Sequence, residues 1–207
     1  MDDNYAKIVS TNTDRLFRKK GSAGQLAEFL PGKQEGDCVT FRAFGAPCRI
    51  GPDGVFLDGQ KQEGPVGIII TLYALSARSA PCVVEPLKAF KDFPNSMPYA
   101  GAFAAYTQDA LVPHVEKIRD AIPDIIRELD GQEVTAEVGG DFCFLIYPLP
   151  KIALCYIFYE ADEDFPASVT CLYSGNASEF IPIDGLADVG EYTTKKIIGL
   201  LGSATQS

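Results

Sequence analysis

The run DFCFLIYPLPKIALCYIFYEADEDFPASVTCLYS, residues 141–174, decides the fold. It holds three apolar, aromatic-rich segments, Asp141–Pro148, Lys151–Glu160 and Ala167–Ser174, separated by a Pro-Leu-Pro break and an acidic turn. Segments of this length, bounded by turn residues, read as strands, and breaks this short join antiparallel neighbours. Beyond them, Asp184 caps a final helix in which Leu186, Val189, Thr193, Ile197 and Leu200 share a face.

Toward the N-terminus the pattern changes. Pro123 is expected in the first turn of a helix carrying Ile125, Ile126 and Leu129, with Gly131 closing it. Another helix opens at Ala100 or Gly101, carries Phe103, Tyr106, Ala110 and Leu111, and is interrupted by Pro113. Pro81 to Pro98, rich in proline, is extended or looped. Gly64 to Ser79 is apolar on nearly every side, as a helix at the centre of a core would be. From Asp37 to Gln60, Val39, Phe41 and Ala43 alternate with Thr40, Arg42 and Phe44. A turn at Gly51-Pro52-Asp53-Gly54 completes a small antiparallel meander.

The first 31 residues form a helical segment. One helix is marked by Tyr5, Ile8, Val9, Thr13, Leu16 and Phe17 and fades near Lys19-Lys20-Gly21. A second runs from Ala23 to Leu30. Arg15, Arg18, Lys19 and Lys20 are an anion-patch candidate or, more simply, a solvated helix end. Strands and helices come in blocks, which predicts α+β: an antiparallel sheet packed with helices in a single domain, 1–207.

Composition narrows the function. Of 207 residues, 18 are Lys or Arg and 28 are Asp or Glu, a net charge of −10 that falls almost entirely after residue 100. Nucleic acid wants a basic footprint and is not an expected partner. The most apolar uncharged stretch, residues 64–77, is too short to cross a bilayer, and the acidic N-terminus is unlike a signal peptide. A cytoplasmic protein with no membrane partner is expected. The sequon at Asn176 then has no role.

With one histidine, His114, a histidine-based triad has a single candidate. Nucleotide-binding, hydrolase-elbow and zinc-protease motifs are absent. Catalytic candidates are His114, Asp141 and Asp162, the last in the run Asp162-Glu163-Asp164, where carboxylates would bind a divalent cation or serve as acid and base. The aromatic group Phe93, Tyr99, Phe103 and Tyr106 would line a ligand pocket or seat the proline-rich loop on the core.

None of the six cysteines lies in a CxxC pair. A β-turn centred on Leu149 would set Cys143 against Cys155, and one centred on Glu163 would set Cys155 against Cys171. That row of thiols could hold a soft metal or simply pack as small hydrophobes. Cys38 and Cys48 would approach across the meander in the same way.

Several motifs stand in a recognisable order: the apolar helix Gly67–Ala77, Val83 to Tyr106 with Tyr99 and Phe103, and Tyr147-Pro148-Leu149-Pro150-Lys151. They continue through Asp162 to Pro166, Leu172-Tyr173 and Ile181-Pro182, spanning about residues 39–200. In this order of motifs the chain resembles a bacterial and archaeal family, domain of unknown function 3786. The resemblance implies no assigned activity. It implies members found largely in anaerobes, some fused to cysteine-rich iron–sulfur modules near corrinoid and one-carbon enzymes, a module this chain lacks. The family's Asp is replaced here by Ser174, and its positions at Cys143, Cys155 and Cys171 are generally apolar.

These readings favour a binding or accessory domain for a cofactor or redox partner in anaerobic metabolism, with a small molecule or a protein as partner and no cofactor specified. Tyr99, Phe103, Tyr106, Asp162 and Asp164 are its ligand-binding candidates. The rival is an enzyme using carboxylates and His114 in a pocket, with or without a divalent metal. A third reading is a structural interaction protein with an exposed apolar patch.

Overall fold

A computed structural model describes residues 2–18, 22–134 and 139–203. Lys19, Lys20 and Gly21, where the first helix was expected to fade, lie outside the described residues. The chain opens with α1 (Asp2–Phe17) and α2 (Ser22–Phe29). A meander follows: β1 (Lys33–Glu35), β2 (Cys38–Ala43), β3 (Ala46–Gly51), β4 (Gly54–Leu57) and β5 (Gln60–Lys61), antiparallel and in sequence order.

Next come α3 (Pro65–Leu75), β6 (Lys88–Ala89), α4 (Met97–Phe103), α5 (Val115–Glu128) and β7 (Gly131–Glu133). The chain ends with β8 (Phe142–Leu149), β9 (Ile152–Tyr159), β10 (Ser168–Tyr173) and α6 (Ile183–Ser203). The second sheet has the order β6-β10-β9-β8-β7, all antiparallel.

The fold is α+β as expected, with two antiparallel sheets where the strand pattern suggested one. One continuous core runs through both, from Val39 and Ile50 in the meander to Phe144 and Tyr156 in the second sheet. Phe44 N donates to Pro148 O at 2.6 Å, tying the β2–β3 hairpin to β8. Gly45 sits at φ 78°, and a Cβ there would lie 1.9 Å from Glu128 O, so only glycine lets this hairpin press against the end of α5.

Several local expectations shift for tertiary reasons. On α1 the face toward α3 is Val9, Asn12 and Thr13, and Asn12 Nδ2 donates to Thr71 Oγ1 at 3.0 Å; Tyr5 and Ile8 point partly to solvent. Helix α4 begins at Met97, before Ala100, with Pro98 in its first turn, where a missing N–H costs no helical bond. The rod then continues through a π-helical turn at Ala104–Gln108 and a 3-10 turn at Asp109–His114 that accommodates Pro113.

Pro123 lies inside α5, not in a first turn. The buried stripe Val115, Ile118, Ile125 and Leu129 runs past it, and burial of that face outweighs the one helical bond that proline forfeits. Gly131 opens β7 and does not close α5. Asp130 takes the left-handed turn at φ 54°, and a Cβ on Gly131 would meet Ile146 Cγ2 at 2.7 Å. Asp184 lies within α6, its Oδ1 accepting from Gly185 N at 2.9 Å, while Leu186, Val189, Thr193 and Ile197 are buried along the expected face.

Candidate functional site

A cleft of about 450 Å³ opens where the start of α5 meets the end of β9. Val112, Val115, Ala161 and Ala167 supply its apolar lining; Glu116, Lys117, Arg119 and Glu160 supply charge of both signs. The size lies in the range of small-molecule pockets.

Its polar geometry is built by long-range contacts. Arg119 on α5 forms an ion pair with Glu160 at the end of β9, and Arg119 Nε lies 3.7 Å from Asp120 Oδ1. Asp141 holds Glu160 in place from the neighbouring strand: its Oδ2 accepts from Glu160 N at 2.7 Å, while its own N–H donates to Phe158 O at 2.8 Å. The result is a relay from Asp141 to Glu160 to Arg119, joining β8, β9 and α5 at one rim.

The three catalytic candidates do not line this cleft. Asp141 acts through the backbone of Glu160. Asp162 Oδ1 accepts from Asp164 N at 2.8 Å and from Phe165 N at 2.7 Å, so the carboxylate organises its own turn. His114 occupies the N-cap position of α5, beside the lining residues Pro113 and Val115.

The aromatic candidates divide. Phe103 is 5% exposed, stacked on Phe90 at 4.4 Å between ring centroids, and belongs to the core. Phe93 meets Tyr173 edge-on at 6.0 Å. These two seat the proline-rich segment, whereas Tyr99 and Tyr106 face outward. Asp164 is exposed, its backbone N–H held by Asp162.

The cysteine row does not form. Cys143 faces Ile157 and Cys155 faces Leu145, a two-residue offset from the expected pairing that keeps both thiols on one sheet face. Between β9 and β10 the offset is one residue: Cys155 faces Leu172 and Cys171 faces Tyr156, which turns Cys171 to the opposite face. In the meander, Cys48 packs inward opposite Phe41. Cys38, on the other face, accepts from Arg49 Nη1 at 3.0 Å.

Burial pushes the thiols of Cys48 and Cys155 up to about 12 and raises those of Cys82, Cys143 and Cys171. These five thiols are protonated at physiological pH and so poor nucleophiles. Among the described residues no three His, Cys, Asp or Glu side chains are grouped so as to hold a metal ion. Among them, too, no helix is long and apolar enough to cross a membrane.

Two features escaped sequence reasoning. Arg119 and Glu160 carry no local signal, since each looks like an ordinary charge on a polar helix face or at a strand end. Lys151, at the start of the strand segment read from the sequence, carries no sign of its burial but is buried. Its Nζ donates to Arg78 O at 2.5 Å and sits 5.5 Å from the centre of the Phe180 ring, and desolvation lowers its pKa.

Fold and site together define an α+β protein with a mixed-charge cleft at the rim of its second sheet. The chain belongs to the family described as Domain of unknown function (DUF3786), which matches residues 23–196. No curated protein and no solved structure matches the chain.

Proposed function

We propose that this protein is a binding or accessory module that takes a small ligand, carrying both apolar and charged groups, into the cleft between α5 and β9. The observation that carries this reading is the cleft's construction: a concave volume of ligand size, apolar in part, with Arg119 and Glu160 paired at its rim. The family resemblance supports a role beside cofactor or redox enzymes of anaerobes.

The enzyme reading has less support. Its carboxylates already accept from backbone N–H groups: Asp141 from Glu160 at the end of the neighbouring strand, Asp162 from Asp164 and Phe165 in its own turn.

Native mass spectrometry of protein purified anaerobically from its host tests the proposal. The expected result is a retained small molecule that is lost from Ala167→Trp, which fills the cleft, and weakened in Arg119→Ala. Protein that carries no ligand, or a ligand retained equally by Ala167→Trp, would overturn it.

A further inference from the structure

Residues 93–108 are the longest charge-free run in the chain, in a protein of net charge −10. Such a run is normally buried. Here Phe93, Phe103 and Thr107 face the core, but Met97, Pro98, Gly101, Ala102 and Ala105 are exposed along α4 and the π-helical turn. Met97 is 74% exposed, Tyr106 57% and Tyr99 38%. An outward helical face with small residues in the middle and large apolar ones at both ends is built to meet another helix, because the small residues admit a close backbone approach.

We propose that this face is a self-association surface, on which two copies of the chain pair α4 against α4, antiparallel, about a two-fold axis between Gly101 and Ala102. Two features select a second copy as the occupant. The pattern is self-complementary under that operation: Met97 of one copy meets Tyr106 of the other, a favourable sulfur–aromatic contact. Pro98 meets Ala105, and Gly101 meets Ala102.

The second feature is charge. Two chains of net charge −10 repel, and this face carries no carboxylate of its own, the flanking ones being Asp92 and Asp109 at the ends of the run. A basic partner would instead be drawn to the acidic residues elsewhere. Exposed Met and Tyr area of this size buries on the order of 500 Å² per copy, about 1,000 Å² in all, the lower end of specific interfaces. The dimer is therefore expected to be weak.

Sedimentation equilibrium of the full chain from about 1 to 500 μM, a range that brackets weak interfaces, tests this. The expected result is a monomer–dimer equilibrium that tightens with added salt, as repulsion between acidic bodies is screened. Ala102→Glu, which sets two carboxylates across the axis, and Met97→Lys should each weaken it at least about tenfold with unchanged circular dichroism. Phe165→Ser, at an exposed aromatic in the acidic turn, should leave it unaltered. A 22.4 kDa monomer at every concentration would overturn the proposal. So would a dimer indifferent to Ala102→Glu or one that salt dissociates.

Discussion

Replacing Phe103 by alanine should be among the costliest single changes in the protein, although Phe103 sits in a run of outward-facing residues. Its ring lies nearly parallel to that of Phe90, at 15° and 4.4 Å, and 5.7 Å from Tyr173. A Cβ placed on Gly190 would come within 2.7 Å of Phe103 Cε2, so α6 already closes on the ring without slack. The neighbours cannot follow a shrinking side chain. Tyr173 is paired in β10 and donates through Oη to Leu186 O at 2.9 Å, and Phe90 is held in its own 3-10 turn.

A lasting cavity is therefore expected, with a loss of about 3–5 kcal/mol, of which the stacked pair accounts for about 1 kcal/mol. Tyr106→Ala, three residues on and mostly exposed, should change stability by no more than about 0.5 kcal/mol. Urea unfolding followed by circular dichroism, at concentrations low enough for the monomer, reads both. With a slope of about 2.5 kcal/mol/M, Phe103→Ala should move the midpoint by roughly 1.5 M. A loss below about 1 kcal/mol for Phe103→Ala, or an equal loss for Tyr106→Ala, would refute the assignment of Phe103 to the core and return it to a ligand-facing role.

Gly45→Ala should cost more than about 2 kcal/mol, since it combines a left-handed backbone with a collision against Glu128 O; a midpoint within error of the parent would show that the hairpin does not press on α5. Stability should fall with rising pH above about 9. The thiols of Cys48 and Cys155, raised to about 12 by burial, contribute stability that is complete below their unfolded values and lost as pH climbs toward 12. Each thiol accounts for about 1.4 kcal/mol per pH unit in that window, while Lys151, whose pKa burial lowers, acts with the opposite sign. Urea midpoints between about pH 8 and 11 should show a shallower slope in Cys48→Ala, and an unchanged slope would contradict the buried, neutral thiol. Asn176→Ala should cost about 1–2 kcal/mol and speed hydrogen exchange at Val83, because the Asn176 amide binds Val83 N at 2.8 Å and Pro81 O at 3.0 Å; unaltered exchange there would remove its role as a clamp.

Residues 141–174 are legible as strands because their signal is local: apolar, aromatic segments cut by proline and carboxylates. The stripe Leu186, Val189, Thr193 and Ile197 is legible for the same reason, as is the burial of α3, which is apolar on all sides. In each case the residues that carry the information are neighbours along the chain or one helical turn apart.

Sequence alone thus determined the α+β class, the positions of most elements and the likeness to the family. Tertiary structure decided what depends on a single residue of register or on residues far apart. The β9–β10 pairing differs by one position from a regular hairpin about Glu163, which sends Cys171 to the opposite face from Cys143 and Cys155. Phe103 and Tyr106 look alike in a charge-free run, and the approach of Phe90, Tyr173 and α6 at Gly190 makes the first core while the second stays outside. Arg119 and Glu160, separated by 41 positions, meet because α5 crosses the end of β9 where Asp141 holds the strand. Local periodicity reports which face of an element is apolar, but not which distant side chain will stand opposite. That is settled when the core closes and the strand registers lock.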